Sequence, residues 1–112
     1  MRALTVAAGL LLSAAAAADT ISGPARVIDG DTLLIGKQRV RLQNAHAPER
    51  GEPGGSEATA ALKALVVEQL VVCEARARDR YARMVARCSI GERDLGHTMV
   101  AAGLAEKRGR RR

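Results

Sequence analysis

Apolar and polar positions alternate with period two through most of this chain, and two stretches of helical spacing interrupt them. Ile21 to Ile28 reads as a first strand, entered past Gly23-Pro24, and Thr32 to Ile35 as a second, closed by a Gly36-Lys37 turn. Gln38 to Leu42 alternates cleanly. Val40 and Leu42 share one face and Arg39 and Arg41 the other, so a core behind the apolar pair sends Arg41 outward. Arg50 to Gly55 is a loop by composition. Ser56 then offers an N-cap, and Glu57 suits the positive end of a helix. Ala58, Ala61, Leu62, Leu65 and Val66 follow at helical spacing, with Lys63 and Glu68 on the other side, which predicts an amphipathic helix over 57–70.

A hairpin comes next. Val71, Cys73, Ala75 and Ala77 alternate with polar or exposed positions, as do Met84, Ala86, Cys88 and Ile90. A loop of Asp79, Arg80, Tyr81 and Ala82 pairs 77 with 84, 75 with 86 and 73 with 88. Directly opposed Cα atoms lie ~4.5–5.5 Å apart, within disulfide range. A Cys73–Cys88 bridge closes a loop of ~15 residues and contributes roughly 3 kcal/mol by the chain-entropy model. Two buried free thiols fit the same pattern, and a β-bulge would break the pairing. Gly91 to Asp94 is a turn, and Asp94 caps a second helix over Leu95 to Ala102, with Leu95, Met99 and Ala102 inward and Gly103 as its stop. His97 falls outside that stripe and reads as a surface residue. Three strands, a helix, two strands and a helix predict a mainly β, α+β domain: a five-stranded OB-type barrel with two helices.

Composition narrows the setting. Met1-Arg2 precedes an apolar run from Ala3 to Ala18 that ends in three alanines, the form of a secretory signal peptide over residues 1–18. The run is shorter than the ~20 apolar residues of a membrane span, so none is expected in the mature chain. The domain then covers 19–105, and the basic stretch 106–112 is expected to be a disordered tail. Export places the protein in the periplasm or outside the cell, where a disulfide is favoured, and it is expected to act as a monomer. With no Phe or Trp, and Tyr81 as the lone aromatic, the core rests on aliphatic side chains. The net charge of +6 favours anionic partners such as nucleic acid, although many small exported domains are basic.

Candidate chemistry gathers in Val27-Ile28-Asp29-Gly30-Asp31-Thr32 and in Arg41 through Glu49. An Asp-Gly step between strand-like segments is a turn signal. Two carboxylates on that turn, beside a strand carrying an arginine, suit a hard cation and a phosphate held side by side. Ordinary turn residues fit the same spacing.

These stretches, with Arg39-Val-Arg-Leu42, Ala47-Pro-Glu49, Asp79-Arg-Tyr-Ala-Arg83 and Asp94-Leu95 through Met99-Val100 to Gly103-Leu-Ala105, resemble the staphylococcal nuclease-like (thermonuclease) family in order and distance. The resemblance runs from about Ala25 to Ala105. It implies an OB barrel with helices and calcium-dependent hydrolysis of DNA and RNA. It also implies that Arg41 and Arg83 grip the scissile phosphate and that Glu49 positions or deprotonates the attacking water. Asp31 and the Ala47 carbonyl would be metal ligands, with Asp29 just behind them, and Arg80 and Tyr81 would touch a neighbouring phosphate. A metal and two guanidinium forks stabilise the charge that builds during in-line attack. A sequence-tolerant single-strand binder, by contrast, needs several stacking rings, and this chain has one.

Three departures stand out. His46 occupies the place of the family's second metal carboxylate, in its Asp-x-Pro-Glu run. Calcium prefers oxygen and imidazole suits transition metals, so the change implies weakened Ca²⁺, a different divalent metal, or no metal; His46 facing solvent is a fourth reading. Ala82 stands where the family has glycine, which strains the turn if its φ is positive. Longer family members continue beyond the match, so an open site and weak substrate binding are expected. A catalytically degenerate module that binds nucleic acid or another anion without cleaving it is the alternative to a nuclease, and a protein-interaction domain is the third reading.

Overall fold

Pro24 divides the first strand. Proline has no N–H to give to a ladder, so pairing changes partner there. In the computed structural model, which describes residues 19–108, β1 (Thr20–Gly23) pairs antiparallel with β6 (Val71–Arg78). Past the proline, β2 (Ala25–Asp29) pairs instead with β3 (Thr32–Ile35), which pairs with β4 (Gln38–Leu42). The last long strand, β7 (Met84–Ile90), lies antiparallel to β6 and parallel to β4. The sheet order is therefore β1-β6-β7-β4-β3-β2. Its two outer strands are consecutive in the chain, so the sheet curls on itself, in keeping with the expected OB-like α+β fold.

Three shorter strands complete the described residues. β5 (Ala45–His46) pairs with β9 (Glu106–Lys107), and β8 (Arg93–Asp94) pairs with β7. The strand β9 departs from the expectation of an unpacked tail from residue 106. Charge keeps those side chains in solvent, but backbone pairing with Ala45 and His46 does not need them buried. Residues 1–18, read as a signal peptide, and 109–112, the end of the basic tail, lie outside the described residues.

The first helix, α1 (Gly55–Val66), starts and stops earlier than the spacing predicts. Its N-cap is Gly54 at φ +87°, not Ser56. A Cβ on Gly55 would overlap the Glu49 carbonyl, so the loop backbone lies directly on the helix start. At the other end the next stripe positions are Gln69, which is polar, and Leu70, which stays 61 % exposed, so nothing extends the buried face past Val66. The second helix, α2 (Leu95–Ala101), follows its signals closely. Asp94 caps it by accepting from His97 N–H at 2.8 Å. Gly103 at φ +78° closes it: its N–H bonds Val100, and Leu104 N–H bonds Met99. Ala102, expected inward, is exposed because the chain has already left the helix.

The core lies between the curled sheet and the two helices, around Leu33, Val40, Leu42, Leu62, Met84, Leu95 and Met99. Cys73 and Cys88 sit within it, joined as a disulfide with Cα atoms 4.0 Å apart. Their register, and that of Ala75 with Ala86, is the one the alternation predicts. Beyond Ala75 a bulge shifts the pairing, so Ala77 faces Val85 and Arg78 faces Met84. The bulge falls between the cysteines and the turn, and leaves the bridge intact.

Candidate active site

Two close approaches set the floor of the site. A Cβ on Gly30 would stand 2.6 Å from Ala58 Cβ and 2.9 Å from Ala47 Cβ. The Asp29-Gly30-Asp31 turn is thus pressed between α1 and the segment that follows β5. Asp31, 7 % exposed, accepts from Ala47 N–H at 2.8 Å through Oδ2 and from the Thr32 hydroxyl at 2.9 Å through Oδ1.

Arg41 does not point into solvent. Its neighbours Val40 and Leu42 are fully buried as expected, yet Arg41 is only 9 % exposed. The segment after β4 folds back over its face of the strand. Nη1 donates to the carbonyls of Leu42 and Ala45, each at 2.8 Å, and lies 3.5 Å from Asp31 Oδ2. Nη2 lies 3.1 Å from His46 Nδ1. A guanidinium only donates, so Nδ1 must accept, and the neutral His46 ring carries its proton on Nε2. The same Nδ1 stands 3.8 Å from Asp31 Oδ2.

Arg83 sits on the loop after β6. Its Nε donates to Asp79 Oδ2 at 2.7 Å, and Asp79 Oδ1 accepts the N–H groups of Tyr81 and Arg83. Arg80 and Arg83 lie over the Tyr81 ring, 5.4 and 5.5 Å from its centroid. Ala82 takes φ +65°, the left-handed conformation that its alanine side chain disfavours. Glu49 is exposed on the loop before α1, and its N–H is held by Glu52 Oε1 at 2.9 Å. Asp29 turns toward Arg50, whose Nε is 4.0 Å from its Oδ1.

Burial lowers the Arg41 pKa, as do the fields of Arg108 and Arg83, while Asp31 and Asp79 raise it. Three arginines against two aspartates leave the locus positive. An arginine stays ionised through such a shift. Burial pushes the Asp79 carboxyl up, but bonds from the Arg83 and Tyr81 N–H groups and the Arg83 side chain outweigh it and hold the group low.

The structure therefore brings Asp31, Arg41, His46 and Ala47 into direct contact, with Arg83 close enough for its charge to act on Arg41. Arg80 and Tyr81 gather around Arg83. Asp79 and Arg108 belong to the same field and were not singled out from the sequence. Asp79 had a signal, an Asx-type turn four residues before an arginine. Arg108 had none; its N–H reaches the Asn44 carbonyl because β9 pairs with β5.

The residues do not fit calcium. That ion takes six to eight oxygens, usually from several carboxylates. Among the described residues, Asp31 is the carboxylate within 4 Å of both His46 and Arg41, and one carboxylate is too few. His46 offers no oxygen, and the Nδ1 lone pair is taken by Arg41. Among the described residues no three His, Cys, Asp or Glu side chains are placed to share an ion.

Known proteins share this arrangement of residues along the chain. A family described as "Staphylococcal nuclease homologue" matches residues 39–112. The succinoglycan biosynthesis protein ExoI of Rhizobium meliloti (strain 1021) is 37 % identical over 92 % of this chain and 60 % of its own length. A micrococcal nuclease of Shigella flexneri is 39 % identical over 74 % of the chain and 50 % of its own length. An uncharacterized endonuclease of Escherichia coli O157:H7 is 35 % identical over 71 % and 56 %. The chain thus spans between half and three-fifths of the length of these relatives.

Proposed function

The chain belongs to the staphylococcal nuclease family, and on that premise we propose that it hydrolyses phosphodiester bonds of DNA or RNA. The observation that carries this reading is Arg41: a buried guanidinium, pinned by two backbone carbonyls, in a locus with more arginines than aspartates. Such a group is oriented before any ligand arrives, so little ordering is left for a phosphate to impose. Arg41 and Arg83 hold the equatorial oxygens of the scissile phosphate. Arg80 and Tyr81 touch the next phosphate along. Glu49 accepts the proton of the attacking water as the new P–O bond forms. The opposite P–O bond breaks, and the departing oxygen takes a proton from solvent. The apolar run from Ala3 to Ala18 supports export and action outside the cytoplasm. Among the described residues, no helix is long and apolar enough to cross a membrane.

The test is cleavage of single- and double-stranded DNA by the purified protein with Ca²⁺, Mn²⁺, Zn²⁺ or EDTA, beside Glu49→Ala and Arg83→Ala. Cleavage should fall by about 10²–10⁴-fold in either folded variant. Wild-type rates in both would sink the assignment.

One observation favours a second reading, an anion-binding module without catalysis. His46 binds Arg41 where the family carries a metal carboxylate. One relative, matched over 92 % of this chain, is named for succinoglycan biosynthesis and not for nuclease chemistry. That reading predicts salt-sensitive binding of nucleic acid, indifferent to chelator, with no product formed.

A further inference from the structure

The chain leaving Glu49 runs straight into a second basic region. Two clefts lie side by side along α1. One, of about 220 Å³, is lined by Arg50, Ser56, Thr59, Ala60 and Lys63. The other, of about 430 Å³, has Arg26, Arg50 and Lys63 over Val27, Val66 and Val67. They share Arg50 and Lys63, so they form one groove between β2 and α1. Its ionisable lining is three cations and no acid.

Two other clefts among the described residues are lined differently. The cleft beside His46 carries Glu52 and Glu106 in its lining and no arginine or lysine. The cleft between β1 and the β3–β4 turn has Lys37 as its one charged group. Arg50 in the basic groove is also held in place, its Nε donating to the Ile28 carbonyl at 3.0 Å. Asp29 Oδ1, 4.0 Å away, offsets part of that one charge, and among the described residues no carboxylate pairs with Arg26 or Lys63. The apolar floor, with Val67 60 % exposed, gives sugar or base faces a surface to cover.

We propose that this groove is a second phosphate subsite, which takes the backbone of a nucleic-acid strand as it passes Glu49 and continues over α1. The inference rests on the phosphodiesterase reading. It makes that reading directional: Arg41 and Arg83 take one phosphate, and Arg50, Lys63 and Arg26 take later ones. It also explains how a site with a single aromatic ring keeps hold of a long substrate, chiefly through charge.

The test uses the full chain carrying Glu49→Ala, which keeps the oligonucleotide intact. Fluorescence anisotropy measures binding of a labelled single strand of about twelve nucleotides across a salt series. The groove variant is Arg26→Ala/Lys63→Ala, in which both side chains are exposed. The control is Lys37→Ala/Arg93→Ala, which removes the same charge from exposed positions elsewhere. Two lost phosphate contacts should lower the slope of log K against log salt by about 1.4 for a single strand, and weaken binding on the order of tens-fold at about 50 mM salt. The control should change both much less. In the Glu49 wild-type background, cleavage of a dinucleotide, too short to reach the groove, should be unchanged by the groove variant. A slope equal to that of the control overturns the groove alone. No binding by any variant at low salt overturns the groove and the phosphodiesterase reading together. Groove-dependent binding to anionic lipid vesicles with none to the oligonucleotide overturns it in favour of a membrane surface.

Discussion

Replacing His46 with aspartate should give the protein a calcium affinity that the wild type lacks. The size of the effect follows from two distances. A carboxylate oxygen introduced at position 46 falls near the place of Nδ1, which stands 3.8 Å from Asp31 Oδ2. Two oxygens that far apart can share one cation at ~2.4 Å from each. Arg41 Nη2, 3.1 Å from the same place, competes for the new carboxylate, so affinity belongs at the weak end of protein calcium sites. A Kd of about 0.1–1 mM is the appropriate range for such a site. With about 10 mM Ca²⁺, binding to the folded state alone then adds roughly 1.4 to 2.7 kcal/mol. For a domain of this size that raises Tm by about 6 to 20 °C.

Scanning calorimetry of both proteins, with Ca²⁺ against Na⁺ at matched ionic strength, measures this without relying on activity. The wild type should show no comparable shift, since matched ionic strength removes any difference in screening. A wild-type shift as large as the variant's would refute the argument from donor chemistry, because His46 would then not exclude the ion. A variant that folds but does not respond would refute the geometric half, since Asp31 and position 46 would not be placed to share a cation.

Other perturbations have equally direct readouts. Ala82→Gly relieves a left-handed alanine at φ +65° and should stabilise the fold by about 0.5–1 kcal/mol in urea titration; a loss of stability would mean that the alanine side chain packs favourably in that turn. Gly30→Ala forces a Cβ to within 2.6 Å of Ala58 Cβ and should cost about 1–3 kcal/mol, with DNA cleavage falling in proportion as Asp31 is displaced. Asp94→Ala removes the α2 cap and the bonds from Asn44 and Arg87, at a cost of about 2 kcal/mol at neutral pH. Burial raises the Asp94 pKa, but bonds from Asn44, His97 N–H and Arg87 outweigh it and hold the carboxyl low. Its stabilisation is therefore present above the unfolded value of about 3.9 and fades as pH falls through the lower folded value, so the gap between wild type and variant should narrow below about pH 4.

Local chemistry made some of this legible from residue order. The cysteine pair was readable because alternation and a short turn fix who stands opposite whom, and the bulge fell on the turn side of the bridge. The α2 cap and stop were readable because Asp94 and Gly103 act within one helical turn. Arg41 was misread for a physical reason. Alternation gives the direction of a Cβ, not what lies over it, and the carbonyl of Ala45 that captures Nη1 arrives from a segment whose path depends on β9. That strand was illegible too, since its pairing uses backbone groups common to every residue. Ser56 lost the cap of α1 because Gly54 and Gly55 let the loop lie against the helix start, a close approach that shows in sequence as nothing more than loop composition.

The arginine that makes this locus suit an anion also prevents it from suiting a cation. Arg41 needs acceptors on every side. It takes two carbonyls, and from position 46 it takes the Nδ1 lone pair. A carboxylate at that position, as in the family pattern the sequence resembles, has two oxygens that can face different ways. Imidazole does not. With Nδ1 committed to Arg41, Nε2 carries a proton and presents a donor. The substitution thus removes one negative charge from the locus and adds a hydrogen-bond donor to its rim. Both changes weaken the hold on a divalent cation, and both strengthen the hold on a phosphate oxygen. Phosphate binding can therefore persist here where metal binding fails, and the two should separate in experiment: His46→Asp should gain calcium affinity and lose part of its calcium-free affinity for nucleic acid.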